Sequence, residues 1–168
     1  MRRFFPFVLL LPVVTAGAQA ESVRLLPPIP APVDFVLVDK SNRTLTLYGA
    51  GEPLRTYKGI QLGDAPAGHK RFEGDERTPE GRYVIDYRNP DSRYHLSLHI
   101  SYPNAADRAY ANVRGRSPGG NIFIHGQPNG YPGRVAADWT DGCIALSNPE
   151  IEDLWSLVDD GTPIEIRP

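Results

Sequence analysis

The sequence predicts a mainly β protein, with β-sandwich-like mixed sheets and one well-marked helix near the C-terminus. From Asp34 onward, short segments of alternating apolar and polar residues follow one another, each bounded by turn residues. This period of two is typical of half-buried strands. Apolar residues at helical spacing stand out in one place, after Asn148. The 135 residues from Asp34 to Pro168 suffice for one domain with a hydrophobic core.

The first twenty residues predict export. Arg2 and Arg3 form a charged start, residues 4–14 are apolar, and Ala18-Gln19-Ala20 has the small-x-small form of a signal-peptidase site. The apolar run is shorter than the ~20 residues that a helix needs to cross a bilayer. We therefore expect residues 1–20 to be a cleaved signal peptide, the mature protein to be periplasmic, and no stable membrane span to remain.

Residues 21–33 are interpreted as a tether, because four prolines in this segment favour extended, poorly packed chain. The domain is then expected to occupy residues 34–168. Its predicted strands are Phe35–Val38, Thr44–Tyr48, Thr56–Leu62, Arg82–Asp86, Tyr94–Ile100, Asn121–Ile124 and Thr162–Ile166. The first two are expected to pair as a hairpin. Two long loops, 63–81 and 102–120, are expected to form walls of a substrate groove, since long loops in compact domains are usually functional or disordered.

The predicted helix lies between the last two strand-forming segments. Asn148 is expected to cap it and Pro149 to occupy its first position, where the missing N–H of proline costs no hydrogen bond. Its buried stripe consists of Ile151, Leu154, Trp155 and Val158. Trp155 is therefore assigned to the core and not to a ligand.

Composition and motifs exclude several classes of function. Two of the 18 basic residues and none of the 20 acidic ones fall in residues 1–20, so the mature chain has a formal charge of −4. It carries no basic patch that would predict nucleic-acid binding. No C-x-x-C or H-x-x-E-H pattern is present, and we expect neither a metal site nor a cofactor.

The candidate chemistry lies in Cys143, the only cysteine, and in His125, 18 positions before it. An unpaired cysteine in an exported protein suggests a reactive thiol. Such a thiol needs a nearby base and amide groups that hold the oxyanion. His125 ends a predicted strand and is assigned as the base. The carbonyl of Gly126 is expected to orient the imidazole, and amides of the tight turn at Gly142 and Cys143 are candidates for the oxyanion hole.

These residues resemble the signature of the L,D-transpeptidase catalytic domain, or YkuD domain, which is a histidine, a loop, then Ser or Thr, a variable position, Gly and Cys. The matching positions are His125, Thr140, Gly142 and Cys143, with 14 residues between the first two. The resemblance extends to residues 38–40, 45–48 and 74–81. It implies a YkuD-type fold and a thiolate that attacks the third residue of the peptidoglycan stem peptide, often meso-diaminopimelate. The resulting thioester is then resolved by an amine or by water.

Two departures from the family pattern affect the expected substrate contacts. Asp141 stands where most members have histidine, and Ala145 stands where most have a basic residue. Asp141 is either a simple turn former or a group that recognises an amine. Because a carboxylate beside the thiol would raise its pKa, we expect Asp141 to point away or to pair with a base. Another cation must replace the residue missing at Ala145, with Arg134 as first candidate, followed by Arg77 and Lys70.

Three further residues complete the candidate substrate contacts. Trp139, next to the catalytic turn, either stacks on substrate or packs within the domain. Thr140 belongs to the turn itself. His99 either lines the groove or faces solvent.

The departures also resemble the YafK or DpaA branch of the family, which implies hydrolysis that releases an outer-membrane lipoprotein from peptidoglycan. The sequence leaves open whether cross-links are formed or released, and stem peptides are the expected partners in both cases. The non-enzymatic alternative is a periplasmic wall-binding module with a degenerate site. Cys143 would then be dispensable and slow to react with alkylating agents.

Overall fold

The computed structural model describes residue 27 and residues 29–168, so the predicted signal peptide and most of the predicted tether lie outside the described residues. Eight strands and two helices occur in this part of the chain. In order they are β1 (Phe35–Asp39), β2 (Thr44–Gly49), β3 (Glu52–Lys58), β4 (Gly81–Asn89), β5 (Ser97–Ile100), α1 (Ala105–Asn112), β6 (Ile122–His125), β7 (Ile144–Ala145), α2 (Asn148–Leu157) and β8 (Thr162–Arg167).

The strands form one curled mixed sheet in the order β3-β2-β1-β8-β4-β5-β6-β7. β1 pairs in parallel with β8, and β6 pairs in parallel with β7. The other neighbouring strands are antiparallel, including the predicted hairpin of β1 and β2. This architecture confirms the mainly β fold class.

The core is built from alternate residues of the strands. Val36 and Val38 of β1 are fully buried, whereas the alternate residues Phe35, Leu37 and Asp39 are only partly covered. α2 lies against β5 and adds the fully buried Ile151 and Leu154. Burial of each such side chain contributes about 2 kcal/mol, and Trp155 packs partly buried against the same core.

One helix was not predicted, because segment 102–120 was interpreted as a loop. α1 begins after Asn104, whose side chain accepts hydrogen bonds from the N–H groups of Ala106 and Asp107 at 2.8 and 3.1 Å. Asp107 in turn accepts from the N–H of Asn104 at 3.0 Å. This reciprocal capping stabilises a helix start, whereas eight residues are too few for a clear apolar stripe.

α2 begins at Asn148 and is capped by Ser147, so both its cap and its first residue lie one position before the predicted ones. Ser147 precedes the helix, and its N–H donates to Glu150 Oε2 at 2.9 Å. Asn148 instead accepts a hydrogen bond from the N–H of Gln127 at 2.8 Å. The Asn148 side chain therefore joins the start of the helix to the segment after β6.

Most predicted strands differ from the observed ones by one to three residues, and two of them start three or more residues away from the predicted position. The strand predicted at Thr56–Leu62 lies at Glu52–Lys58, because Ala50 and Gly51 form a two-residue turn with φ of 52° and 82°. Such a hairpin turn requires positive φ, which alanine rarely adopts. The strand predicted at Tyr94–Ile100 begins only at Ser97, since His95 also has a positive φ of 67°.

Candidate active site

A cavity of about 590 Å³ opens where β5, β6 and β7 meet, a size typical of small-molecule sites. Both His125 and Cys143 line it. The complete lining is Asn89, Asp91, Ser92, Arg93, Tyr94, Ser97, Gly120, Asn121, Ile122, Phe123, His125, Trp139, Thr140, Asp141 and Cys143. Loop 102–120 thus reaches the cavity at its last residue, whereas loop 63–81 does not line it.

The pairing of β6 and β7 brings His125 and Cys143 to the same cavity. These strands are parallel, with Ile124 opposite Ile144, so Cys143 comes to lie beside Phe123. The N–H of Phe123 donates to Cys143 Sγ at 3.4 Å. Because successive strand residues point to opposite faces, Phe123 and His125 share the face opposite the fully buried Ile124.

His125 is held on several sides and is only 3% exposed. Its Nδ1 lies 2.7 Å from the carbonyl oxygen of Gly126, a contact that requires the proton on Nδ1 and leaves Nε2 as the basic nitrogen. The ring of Tyr94 stacks on the imidazole at 4.6 Å, and the ring of Trp139 meets it edge-on at 5.5 Å. The sequence carried no signal for Tyr94, because it lies outside β5 and reaches His125 only through the fold.

Gly126 allows this arrangement because the chain is crowded there. A Cβ at this position would lie 2.7 Å from Asn148 Oδ1, closer than real Cβ atoms approach, and would also crowd Ile151 Cγ2 at 3.0 Å. The absence of a side chain therefore lets the carbonyl of Gly126 stay against His125 while α2 packs behind it.

The turn before Cys143 is closed by Thr140. Its hydroxyl donates to the carbonyl of Cys143 at 2.7 Å and accepts from the N–H of Gly142 at 3.3 Å. Gly142 has a φ of 120°, and a Cβ there would lie 2.5 Å from the carbonyl oxygen of Arg77. Within the described residues the N–H of Cys143 makes no hydrogen bond, so this amide, more than that of Gly142, is free to stabilise an oxyanion.

Burial sets the protonation of the two central groups. It raises the pKa of the Cys143 thiol to about 11; the N–H of Phe123 and the amine of Lys70 offset this in part, and the charge of Asp141 adds to it. Burial also lowers the pKa of His125 to about 4, against the opposing effect of the Gly126 carbonyl. A neutral thiol and a neutral imidazole, both lining the cavity, are therefore favoured at rest. A neutral Cys143 thiol would react slowly with alkylating agents at neutral pH even in an active enzyme. Slow alkylation therefore does not distinguish a wall-binding module with a degenerate site from an enzyme.

Asp141 was expected to point away or to pair with a base, but its neighbour is another carboxyl group. Burial raises the pKa of the Glu76 carboxyl, and the nearby charge of Asp141 raises it further. Lys70, itself buried, donates to Asp75 at 2.9 Å and to the carbonyl of Phe72 at 3.1 Å.

The structure does not bring four of the predicted substrate contacts into the cavity: Lys70, which is held by Asp75, and Arg134, Arg77 and His99. Arg134 donates from Nε to Gln61 Oε1 at 3.2 Å on another face of the domain. Arg77 lies behind the turn that precedes Cys143, where its carbonyl faces Gly142. His99 is separated from Cys143 by Phe123, with a ring distance of 4.9 Å between His99 and Phe123. Trp139 and Thr140 do line the cavity.

Arg93 is the cation that sequence reasoning missed. It is exposed at the cavity, and it forms no salt bridge within the part of the chain that the structure describes. Nothing in its spacing from Cys143 indicated this position, because the segment between β4 and β5 approaches the site only in the folded domain.

Neither a metal nor a membrane site emerges from the described residues. In residue 27 and residues 29–168, His, Cys, Asp and Glu side chains do not group in threes as potential metal ligands. Over the same residues, both helices fall short of the length and apolar character needed to span a bilayer.

Comparisons with known proteins show the family of this chain and support its fold. Residues 34–166 match the family model described as the L,D-transpeptidase catalytic domain, YkuD. YafK of Escherichia coli strain K12 is 32% identical over 130 residues, which cover 74% of this chain and 46% of that protein. The chain therefore spans about half the length of the curated relative it matches.

Solved structures of similar proteins have the same fold. The helical cell shape determining protein Pgp2 from Campylobacter jejuni is 31% identical with a TM-score of 0.64, over 83% of this chain and 49% of its own. Bd1075 from Bdellovibrio bacteriovorus is 26% identical with a TM-score of 0.57, over 81% and 48%. An L,D-transpeptidase from Mycobacterium smegmatis, 19% identical over 80% and 58%, shares the fold with a TM-score of 0.52. Because the family model covers nearly the whole described domain, the chain belongs to the L,D-transpeptidase catalytic domain family.

Proposed function

We propose that this protein is a periplasmic cysteine enzyme that modifies peptidoglycan. Cys143 forms a thioester with the third residue of a stem peptide, meso-diaminopimelate, and the acyl group passes to an amine or to water. Transfer to an amine is transpeptidation; transfer to water hydrolyses a diaminopimelate cross-link or releases a bound lipoprotein. The observation that carries the proposal is the shared cavity of Cys143 and His125, with Nδ1 of the histidine against the Gly126 carbonyl.

The first half of the reaction starts from the neutral pair. As Cys143 Sγ bonds to the carbonyl carbon, His125 Nε2 accepts the thiol proton and the carbonyl electron pair moves onto oxygen. The free N–H of Cys143 donates to this oxyanion. When the intermediate collapses, the C–N bond breaks and the imidazolium returns the proton to the leaving amine.

The second half regenerates the enzyme. An amine or water loses a proton to His125 as it attacks the thioester carbonyl, the C–S bond breaks, and the thiolate of Cys143 takes the proton back. The two outcomes differ only in the acceptor. The similarity to YafK and to Pgp2, which determines cell shape, fits a substrate in the cell wall.

Arg93 is assigned to a carboxylate of the stem peptide, in place of the basic residue that is missing at Ala145. Arg93→Gln is expected to raise KM about tenfold with little change in kcat, the cost of one exposed charge-assisted hydrogen bond. Arg82→Gln is the matched control, because the Arg82 side chain on β4 is 84% exposed and does not line the cavity. Steady-state turnover of a stem tetrapeptide measures the effect. A larger rise in KM for Arg134→Gln than for Arg93→Gln would contradict this assignment.

Mass spectrometry of reaction products tests the proposed function and its direction. The mature protein is incubated with tetrapeptide muropeptides, diaminopimelate cross-linked dimers and lipoprotein-linked muropeptides, with Cys143→Ala as control. New cross-links or exchanged terminal residues would identify transpeptidation. Tripeptide products from dimers or lipoprotein adducts would identify hydrolysis. Absence of all these products from the wild-type protein would refute the enzymatic proposal and leave the wall-binding module.

A further inference from the structure

Three aromatic rings lie side by side next to the catalytic cavity. Tyr87 stacks on His99 with ring centres 4.5 Å apart and an interplanar angle of 18°. Phe123 meets His99 at 4.9 Å and Tyr87 at 5.9 Å, both edge-on. Tyr87, at 44%, is one of four large hydrophobic side chains that are exposed among the described residues. The cluster therefore offers solvent a flat ring face that the proposed reaction does not use.

Strand register ties this cluster to the nucleophile. Tyr87 of β4 lies opposite His99 of β5, which lies opposite Phe123 of β6. The row continues to Cys143, whose Sγ receives the N–H of Phe123. Because neighbouring strands are about 4.8 Å apart, His99 stands roughly 10 Å from Cys143, across the sheet.

The rings have a polar edge. Asp86 Oδ1 lies 2.6 Å from His99 Nδ1, and the Asp86 side chain is 42% exposed. Within the described residues, Asp86 Oδ2 and His99 Nε2 make no hydrogen bond. A flat aromatic face bordered by a free carboxylate oxygen and an imidazole nitrogen suits a pyranose ring. Its C–H face packs on the negative face of an aromatic ring, and its hydroxyl groups can bond to the polar edge.

We propose that Tyr87, His99 and Asp86 form a subsite for a sugar of the glycan strand; this inference rests on the proposed function. Three peptide residues separate the attacked carbonyl from the sugar of a stem peptide. An extended chain covers at most about 3.3–3.6 Å per residue, or roughly 10 Å in all. This length equals the two strand spacings between Cys143 and His99. A stem peptide held at Cys143 can therefore place its sugar on the ring cluster.

Turnover of two substrates with the same peptide tests the subsite. One is a disaccharide tetrapeptide muropeptide and the other is the free tetrapeptide. Wild-type protein is expected to have a kcat/KM about tenfold higher for the sugar-bearing substrate, mainly through KM. Tyr87→Ala and Asp86→Asn should each lower this ratio toward one, whereas Tyr87→Phe should keep most of it. Tyr48→Ala, on β2 toward the other end of the sheet, should leave the ratio intact.

A binding experiment separates failure of the subsite from failure of the proposed reaction. The peptide-free disaccharide is titrated into the Cys143→Ala variant. The same titration is repeated with the double variant that carries both Cys143→Ala and Tyr87→Ala. Binding that is lost with Tyr87→Ala supports the subsite even if neither substrate turns over. Equal turnover of the two substrates by the wild-type protein, or disaccharide binding that survives Tyr87→Ala, would overturn it. Observation of a dimer that dissociates when Tyr87 is replaced would also overturn the subsite. The rings would then form a contact between two copies of the protein.

Discussion

Cys143→Ala is expected to lower kcat for muropeptide conversion by roughly 10⁴- to 10⁶-fold, the range seen when a catalytic nucleophile is removed. The physical reason is that Cys143 shares the cavity with His125 and carries the thiol, the most nucleophilic group of the lining, next to its own free amide. Quantified product formation from tetrapeptide muropeptides measures the effect. Loss of the covalent thioester, seen as an absent mass increase on the intact protein, should accompany it.

The same substitution should leave the fold unchanged. Cys143 Sγ makes only weak polar contacts, to the N–H of Phe123 at 3.4 Å and to the carbonyl of Asn121 at 3.7 Å. We therefore expect the free energy of unfolding to change by about 1 kcal/mol or less, the worth of a typical net hydrogen bond. Undiminished turnover by a well-folded Cys143→Ala protein would show that the thiol is dispensable, as the wall-binding alternative requires.

His125→Gln is expected to reduce kcat by 10²- to 10⁴-fold, the usual contribution of a positioned general base. The glutamine amide can donate to the Gly126 carbonyl but cannot accept the thiol proton. His95→Gln is the matched control, because His95 lies outside the cavity with Nε2 at 2.6 Å from Glu152. Equal losses in the two variants would mean that His125 contributes only packing.

The stability of the same variant should depend on pH differently from that of the wild type. The folded-state pKa of His125 is about 4, below its ordinary value of 6.5, so the folded state resists protonation. The wild type should therefore lose up to about 3 kcal/mol from this group as pH falls from 6.5 to 4. Urea unfolding at pH 7 and pH 4 should show a smaller loss in His125→Gln. An equal loss in both proteins would mean that His125 is protonated as easily in the folded state as in water.

Much of the fold could be predicted because its signals are local. Alternation in residues 35–38 and 44–48 identifies β1 and β2, since one face of each strand is buried and the other is not. The errors lie where a residue adopts an unusual conformation, as Ala50 does at the β2–β3 turn. The helix α1 was missed for a different reason, because eight residues give little periodicity and its start depends on the side chain of Asn104.

In the candidate site, too, the residues that could be predicted are those that are close along the chain. His125 and Cys143 were identified from their residue types and spacing, which belong to one continuous segment of chain. Tyr94 and Arg93 were missed, because they reach the cavity from the connection between β4 and β5. Arg134 was favoured for its closeness to Cys143 in sequence, yet it is held by Gln61 on another face.

The sequence by itself determined the strand pattern, the family signature and the candidates for nucleophile and base, because these depend on side chains that are close along the chain. The tertiary structure decided which other groups meet that pair and how the pair is protonated. Strand register places Tyr87, His99 and Phe123 in one row with Cys143 although they come from three separate strands. Desolvation of Cys143 and His125 likewise comes from residues packed around them in the fold, so the neutral resting pair follows from burial and not from the motif.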